Sequence, residues 1–136
     1  MNFISLAELY QDMAAWERQL PPFDAICGVP RSGLIPATYI ALRRNIRLVT
    51  LSDLLRQPEG VIKRAALRPN NPVCKYNLPY GNRLLIVDDS TSSDSVTFKD
   101  LRSKLAAQTD LQITYGAVYR ASAKSQVDCY YREVAQ

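Results

Sequence analysis

Asp88 and Asp89 stand together at the end of an uninterrupted apolar run, Leu84-Leu85-Ile86-Val87. They lead into Ser90-Thr91-Ser92-Ser93-Asp94-Ser95-Val96-Thr97. An apolar run of this kind is the mark of a strand covered on both faces. Neighbouring side chains of a strand point to opposite sides, so the two carboxylates should diverge at the sheet edge. One or both could accept hydrogen bonds from vicinal sugar hydroxyls, or meet a metal ion. A hydroxyl-rich turn that enters a helix gathers N–H and O–H groups into a cradle for phosphate. Sugar hydroxyls and a phosphate bound side by side describe a phosphorylated pentose.

A second cluster lies upstream, in Gly28-Val29-Pro30-Arg31-Ser32-Gly33, a tight turn with one cation. Alone it is weak, because Pro and Gly mark many turns. Other chemistries are excluded by what the 136 residues lack. There is no histidine, which removes Ser-His-Asp and Cys-His hydrolysis and His-based proton transfer. Cys27, Cys74 and Cys129 are odd in number and lack pair spacing, so they predict neither a disulfide framework nor a zinc site. Cys27, beside an apolar strand, reads as a small buried hydrophobe. The chemistry left belongs to carboxylates, hydroxyls, Lys, Arg, main-chain N–H groups and a hard metal ion. The net charge of +4 suits an anionic metabolite, and it is too small and scattered to argue for nucleic acid. No apolar stretch approaches the roughly 18–20 residues that cross a bilayer. The first residues predict no signal peptide, and a reducing cytoplasm is the expected location.

The elements that must position these residues follow from periodicity. Ser5 and Glu8 have capping-box spacing, and Leu6, Leu9, Met13, Trp16 and Leu20 predict an amphipathic helix ended by Pro21-Pro22. Phe23–Val29 and Ile46–Leu51 read as short strands, with a helix over Leu34–Arg44 between them. Ser52-Asp53 predicts the cap of one helical turn. Gln57–Asn82 is rich in Pro, Gly and Asn and carries Lys63, Arg64, Arg68 and Lys75, so it reads as a loop or weak hairpin. Leu84–Val87 is the central strand and Val96–Ala107 a helix. Gln112–Tyr119 and Val127–Val134 are further strands. The length fits one domain, residues 1–136. Strands alternating with helices predict an α/β chain with a mostly parallel central sheet and helices on both faces. Ligands of such sheets bind beyond the carboxyl ends of the strands, where both clusters fall.

In these two motifs the chain resembles the type I phosphoribosyltransferases, which bind phosphoribosyl pyrophosphate (PRPP). Their signature is an apolar strand, two acidic residues and a Thr/Ser/Gly loop opening a helix, matched here at Leu84–Asp89 and beyond. The resemblance implies that Asp88 and Asp89 contact the ribose 2′- and 3′-hydroxyls and that Ser90, Thr91, Ser92, Ser93, Asp94, Ser95 and Thr97 line the 5′-phosphate. It implies a pyrophosphate loop in Ile26–Ala37, with Arg31 as its basic side chain and Pro30, Ser32 and Gly33 beside it. It implies Mg²⁺, met by Asp88 and Asp89 directly or through water. The insert Gln57–Asn82 corresponds to a mobile loop that closes the site through Lys63, Arg64 or Lys75. The similarity spans Phe23 to Tyr119. The hood that selects the base in this family is reduced to Met1–Pro22 and the last few residues, and it names no acceptor. The fold commonly dimerises, and the Tyr-rich segments permit a homodimer. The tail Val127–Val134 resembles members from bacterial surface-polysaccharide gene clusters.

Three positions depart from the family. Asp94 stands where glycine is usual, placing a negative charge at an anion site. Val96 replaces a common Thr. Ser92 replaces the Asp that serves the base in purine-type members. Two readings follow. One is an enzyme that transfers phosphoribosyl from PRPP and releases pyrophosphate. The other is a protein of the same fold that binds PRPP or a nucleotide without turnover. Outside the resemblance, the acidic pair could be a solvated turn and the Ser/Thr run a helix cap. An acidic pair also ends a strand in phosphoacceptor receiver domains, but the further Asp and late Lys that those need have no counterpart here.

Overall fold

A computed structural model describes residues 4–56, 82–107 and 111–135. Its elements follow in the order α1 (Leu6–Gln19), β1 (Ala25–Gly28), α2 (Leu34–Arg44), β2 (Arg47–Val49), α3 (Leu51–Arg56), β3 (Arg83–Thr91), α4 (Val96–Lys104), β4 (Gln112–Arg120) and β5 (Cys129–Glu133). The five strands form one sheet in the order β2-β1-β3-β4-β5. Every pairing is parallel. This is the α/β class that the sequence predicts.

Alternation along the strands divides the core into two layers. Leu84 and Ile86 of β3 face Leu54, Phe98 and Leu101 from α3 and α4. Leu85 and Val87 face Met13, Trp16, Ala37 and Ile40 from α1 and α2. All four β3 side chains are fully buried, which explains why the strand reads as a continuous apolar run. Phe98 is 1% exposed and packs on Tyr115 with ring centroids 5.5 Å apart. Burying one such side chain contributes about 2–3 kcal/mol.

The amino-terminal edge of the sheet is closed by charge pairs. Arg83 donates from Nε and one terminal nitrogen to the two Asp24 oxygens, each at 3.0 Å, and its main-chain N–H adds a 2.9 Å bond. Arg44, in the last turn of α2, donates to Glu17 Oε1 at 2.8 Å and to the carbonyls of Glu17, Leu20 and Pro21. Carbonyls at a helix end lack intrahelical donors, and Arg44 supplies them to α1.

Several boundaries differ from the sequence reading. The central strand does not end at Val87 but continues in register with β4 through Asp88, Ser90 and Thr91. The single turn after β2 is capped by Thr50, whose hydroxyl accepts from the Asp53 N–H at 3.1 Å, and not by Ser52-Asp53. α4 stops at Lys104, short of Ala107. The last strand begins at Cys129 because the Asp128 carboxylate turns back to accept from the Tyr115 N–H at 2.8 Å. Ser5 caps α1 as expected, its hydroxyl accepting from the Glu8 N–H at 3.1 Å. β4 and β5 are joined by Ala121–Asp128 without a helix, which is short for a parallel crossover.

Candidate functional site

The carboxyl ends of β1 and β3 adjoin, and the two sequence clusters meet there. Asp88 and Asp89 diverge as strand alternation requires. Asp89 turns to the α2 side, where the Ser32 hydroxyl donates to its Oδ1 at 2.8 Å. Asp88 turns to the α4 side and lines a cleft. Its Oδ1 accepts from the Asp89 N–H at 2.8 Å. Burial first, and then the hydrogen bond and charge of Asp89, push the Asp88 carboxyl up to about 7. A half-buried carboxyl with that affinity for protons is poised to exchange its proton for a bound cation or hydroxyl donor near neutrality.

The Gly28–Gly33 turn is built by close packing. The Val29 N–H donates to the Val87 carbonyl at 2.9 Å, tying the turn to β3. Gly33 has ordinary helical torsions (φ −64°, ψ −16°), so its backbone makes no demand for glycine. The demand comes from contact, because a Cβ there would strike the Val29 carbonyl oxygen and lie 2.8 Å from the Val87 oxygen. Pro30, Arg31 and Ser32 are exposed at this bend, and the Pro30–Arg31 peptide is cis. Arg31 makes no ion pair among the described residues. Next to it, α2 opens with no acidic residue in its first turn, so the turn joins a free guanidinium to a helix N-terminus, an arrangement that favours anions.

The hydroxyl-rich loop divides in two. Ser90, Thr91, Ser92 and Thr97 join Asp88, Val96 and Phe98 around a cleft of about 230 Å³. Ser93, Asp94 and Ser95 do not line it. The Ser93 and Ser122 hydroxyls lie 3.0 Å apart. Ser95 is 1% exposed, with left-handed torsions (φ 53°), and its hydroxyl accepts from the Gln126 N–H at 2.7 Å. The Ser125 hydroxyl donates to the Ser92 carbonyl at 2.9 Å. Asp94 is exposed and its Oδ1 accepts from the Ser92 hydroxyl at 2.5 Å. That hydroxyl foremost, and the N–H groups of Asp94 and Val96 with the Lys99 charge, hold the Asp94 carboxyl below its ordinary value against a partial desolvation. The contacts of Ser122, Ser125 and Gln126 are not anticipated by the sequence. The available signal was Ala121-Ser122-Ala123-Lys124-Ser125, a small and hydroxylic run directly after a strand.

Lys63, Arg64 and Lys75 lie outside the described residues. No group of three or more His, Cys, Asp or Glu suited to a metal occurs among the described residues. The donor set still fits magnesium, which typically takes one or two carboxylates and completes its shell with water and ligand phosphate. The two described thiols do not compete as nucleophiles: burial raises Cys27 to about 12 and Cys129 to about 11. No helix among the described residues is long and apolar enough to cross a membrane.

No protein-family model matches the sequence. No curated protein matches it either. Solved structures do. The purine phosphoribosyltransferase from Pyrococcus horikoshii Ot3 superposes with TM-score 0.62 and 19% identity, over 96% of this chain and 86% of that one. A hypothetical protein from Neisseria gonorrhoeae with bound ppGpp gives TM-score 0.66 and 13% identity, over 98% of this chain and 83% of that one. The orotate phosphoribosyltransferase from Aeropyrum pernix gives TM-score 0.54 and 16% identity, over 97% of this chain and 78% of that one. The likeness is one of fold, running over nearly the whole chain.

Proposed function

We propose that this chain, which has the fold of the type I phosphoribosyltransferases, binds PRPP between the Gly28–Gly33 turn and the Asp88–Thr97 loop and transfers its phosphoribosyl group to an acceptor. The carrying observation is the 2.8 Å bond from Ser32 to Asp89, which joins a turn suited to pyrophosphate to a carboxylate suited to sugar hydroxyls. Arg31 and the N–H groups at the start of α2 would receive the pyrophosphate, and Asp88 and Asp89 the ribose 2′- and 3′-hydroxyls. Ser90, Thr91, Ser92 and Thr97 would meet the 5′-phosphate end.

Among the described residues no side chain is placed to act as a strong base. The proposed contribution is therefore positioning of the anomeric carbon and stabilisation of the leaving pyrophosphate. In that step the acceptor forms a bond to the anomeric carbon as the bond to the pyrophosphate oxygen breaks, and the acceptor's proton leaves to solvent. Asp88 and Asp89 would hold Mg²⁺, whose charge when bound offsets that of the pyrophosphate.

A second reading is a protein that holds PRPP or a nucleotide without turnover. Asp94 favours it, by adding negative charge to the loop that would meet a phosphate. The bound ppGpp of the Neisseria gonorrhoeae structure is compatible with it. Calorimetric titration with PRPP and Mg²⁺, followed by pyrophosphate release against a panel of nucleobases, tests both. Binding with release supports transfer, binding without release across the panel supports the second reading, and no binding overturns both.

A further inference from the structure

The hydroxyls of Ser92, Ser93 and Ser95, between β3 and α4, already have partners within the protein. A phosphomonoester at this loop would need the Ser92 hydroxyl and the first free N–H groups of α4. The Ser92 hydroxyl already donates to Asp94 at 2.5 Å. The Ser93 and Ser95 hydroxyls are engaged by the crossover, through Ser122 and the Gln126 N–H. A separate observation concerns the adjoining cleft. Its walls carry the Asp88 carboxyl and the hydroxyls of Ser90, Thr91, Ser92 and Thr97, and no lysine or arginine among the described residues. Such walls match a polyhydroxylated, uncharged group. They give a phosphate dianion no counter-charge.

We propose that Asp94 is a specificity-determining residue, its carboxylate holding the Ser92 hydroxyl at the phosphate end of the cleft. The resting protein then accepts the hydroxyl face of a pentose there and admits a phosphomonoester only by displacing Asp94. This rests on the reading that the Asp88–Thr97 loop holds a pentose. It adds that the loop is closed to the 5′-phosphate by the chain's own anion. PRPP would enter by its pyrophosphate end, at Arg31, and its 5′-phosphate would compete with a tethered carboxylate. Because Asp94 is exposed and lies outside the core, its replacement leaves packing intact.

The test uses ribose, ribose 5-phosphate and inorganic phosphate as probes, without pyrophosphate or metal. Its result is therefore independent of PRPP binding and turnover. Affinities are measured by calorimetry and by phosphorus NMR for the wild-type chain, Asp94→Asn and Asp94→Gly, with Asp53→Asn as a surface-charge control. The wild type should bind ribose 5-phosphate within threefold of ribose. Asp94→Asn and Asp94→Gly should each bind ribose 5-phosphate and inorganic phosphate at least tenfold more tightly than the wild type. Ribose affinity should stay within threefold in both variants, and Asp53→Asn should change nothing. A wild type that binds ribose 5-phosphate tenfold or more tightly than ribose would overturn the proposal. So would variants that gain nothing, including the case in which no probe binds any variant. A gain shared by Asp53→Asn would reduce the effect to net charge and overturn it equally.

Discussion

The two ends of the parallel sheet treat charge in opposite ways. At the amino-terminal edge, Asp24 is met by three donors of Arg83, and Arg44 saturates the carbonyls that end α1. At the carboxyl-terminal edge, among the described residues, Asp88 has an adjacent like charge and no cation, and Arg31 has no carboxylate. The same chemical types are present at both ends. What differs is completion: one end is finished by the described residues, and the other presents groups that those residues leave without complements. A half-buried carboxyl without a cation holds its proton instead of its charge, so this edge is the one where the proposed ligand would add stability, whereas the other edge is already paired.

The comparison breaks most visibly at the junction of the two loops. Gly33→Val puts three heavy atoms where one Cβ already strikes main-chain oxygens of Val29 and Val87. Neither is the end of a flexible side chain, so the strands must separate. The expected loss is about 3 kcal/mol, at the upper end of overpacking costs, read as a lower urea midpoint with unchanged slope. The equivalent substitution at a solvent-facing α2 position, Thr38→Val, should cost under about 0.5 kcal/mol.

Acid and base separate the two edges next. The Asp24 carboxyl is held below its ordinary value, chiefly by the Arg83 hydrogen bond. Its contribution is therefore present above pH about 4 and is lost as the pH falls further. Asp88 has the reverse sign. With its native value pushed up to about 7 from 3.8, the folded chain binds more protons than the unfolded chain between those limits. Stability should then fall as the pH rises through that window. Each unit of displacement corresponds to about 1.4 kcal/mol. Water at the open rim reduces the total, leaving an expected effect on the order of 2 kcal/mol. Melting curves at pH 3, pH 5 and pH 8 check both: Asp88→Asn should flatten the loss from pH 5 to pH 8, while Asp24→Asn should flatten only the loss from pH 5 to pH 3.

Much of this was legible in the sequence, and the remainder was hidden for definable reasons. Burial on both faces leaves no period-2 signal, so Leu84–Val87 reads at once as a central strand, and the parallel sheet follows from the alternation of elements. The acidic pair and the Arg31 turn were visible because each directly follows an apolar run and the two occur together in one chain. The extension of β3 through Thr91 was not visible, since Asp and Ser disfavour strands in isolation and only pairing with β4 overrides them. The crossover's grip on Ser92, Ser93 and Ser95 was also hidden: it depends on a return path of Ala121–Asp128 that no local pattern encodes. The resemblance placed Ser93, Asp94 and Ser95 among the phosphate-lining residues, since a motif carries residue order and not orientation. In the folded chain, orientation turns them away from the cleft.

The smallest effect tests the side-chain hydrogen bond between the two loops. Ser32→Ala deletes the 2.8 Å bond to Asp89, an exposed contact. An exposed hydrogen bond contributes only about 0.5–1 kcal/mol, and Asp89 retains its own bond from the Ser90 N–H at 2.8 Å. Global stability should therefore fall by no more than that. Ligand binding should suffer more, because the hydroxyl fixes the carboxylate that faces both loops, and a loosened Asp89 must be ordered again when ligand arrives. A roughly threefold to tenfold loss of PRPP–Mg²⁺ affinity is expected, with a melting temperature shifted by only a few degrees. Ser32→Thr, which keeps the hydroxyl, should restore most of the affinity. If Ser32→Ala lowered stability and affinity by the same free energy, the bond would belong with the finished edge, and the contrast between the two ends of the sheet would lose its sharpest instance.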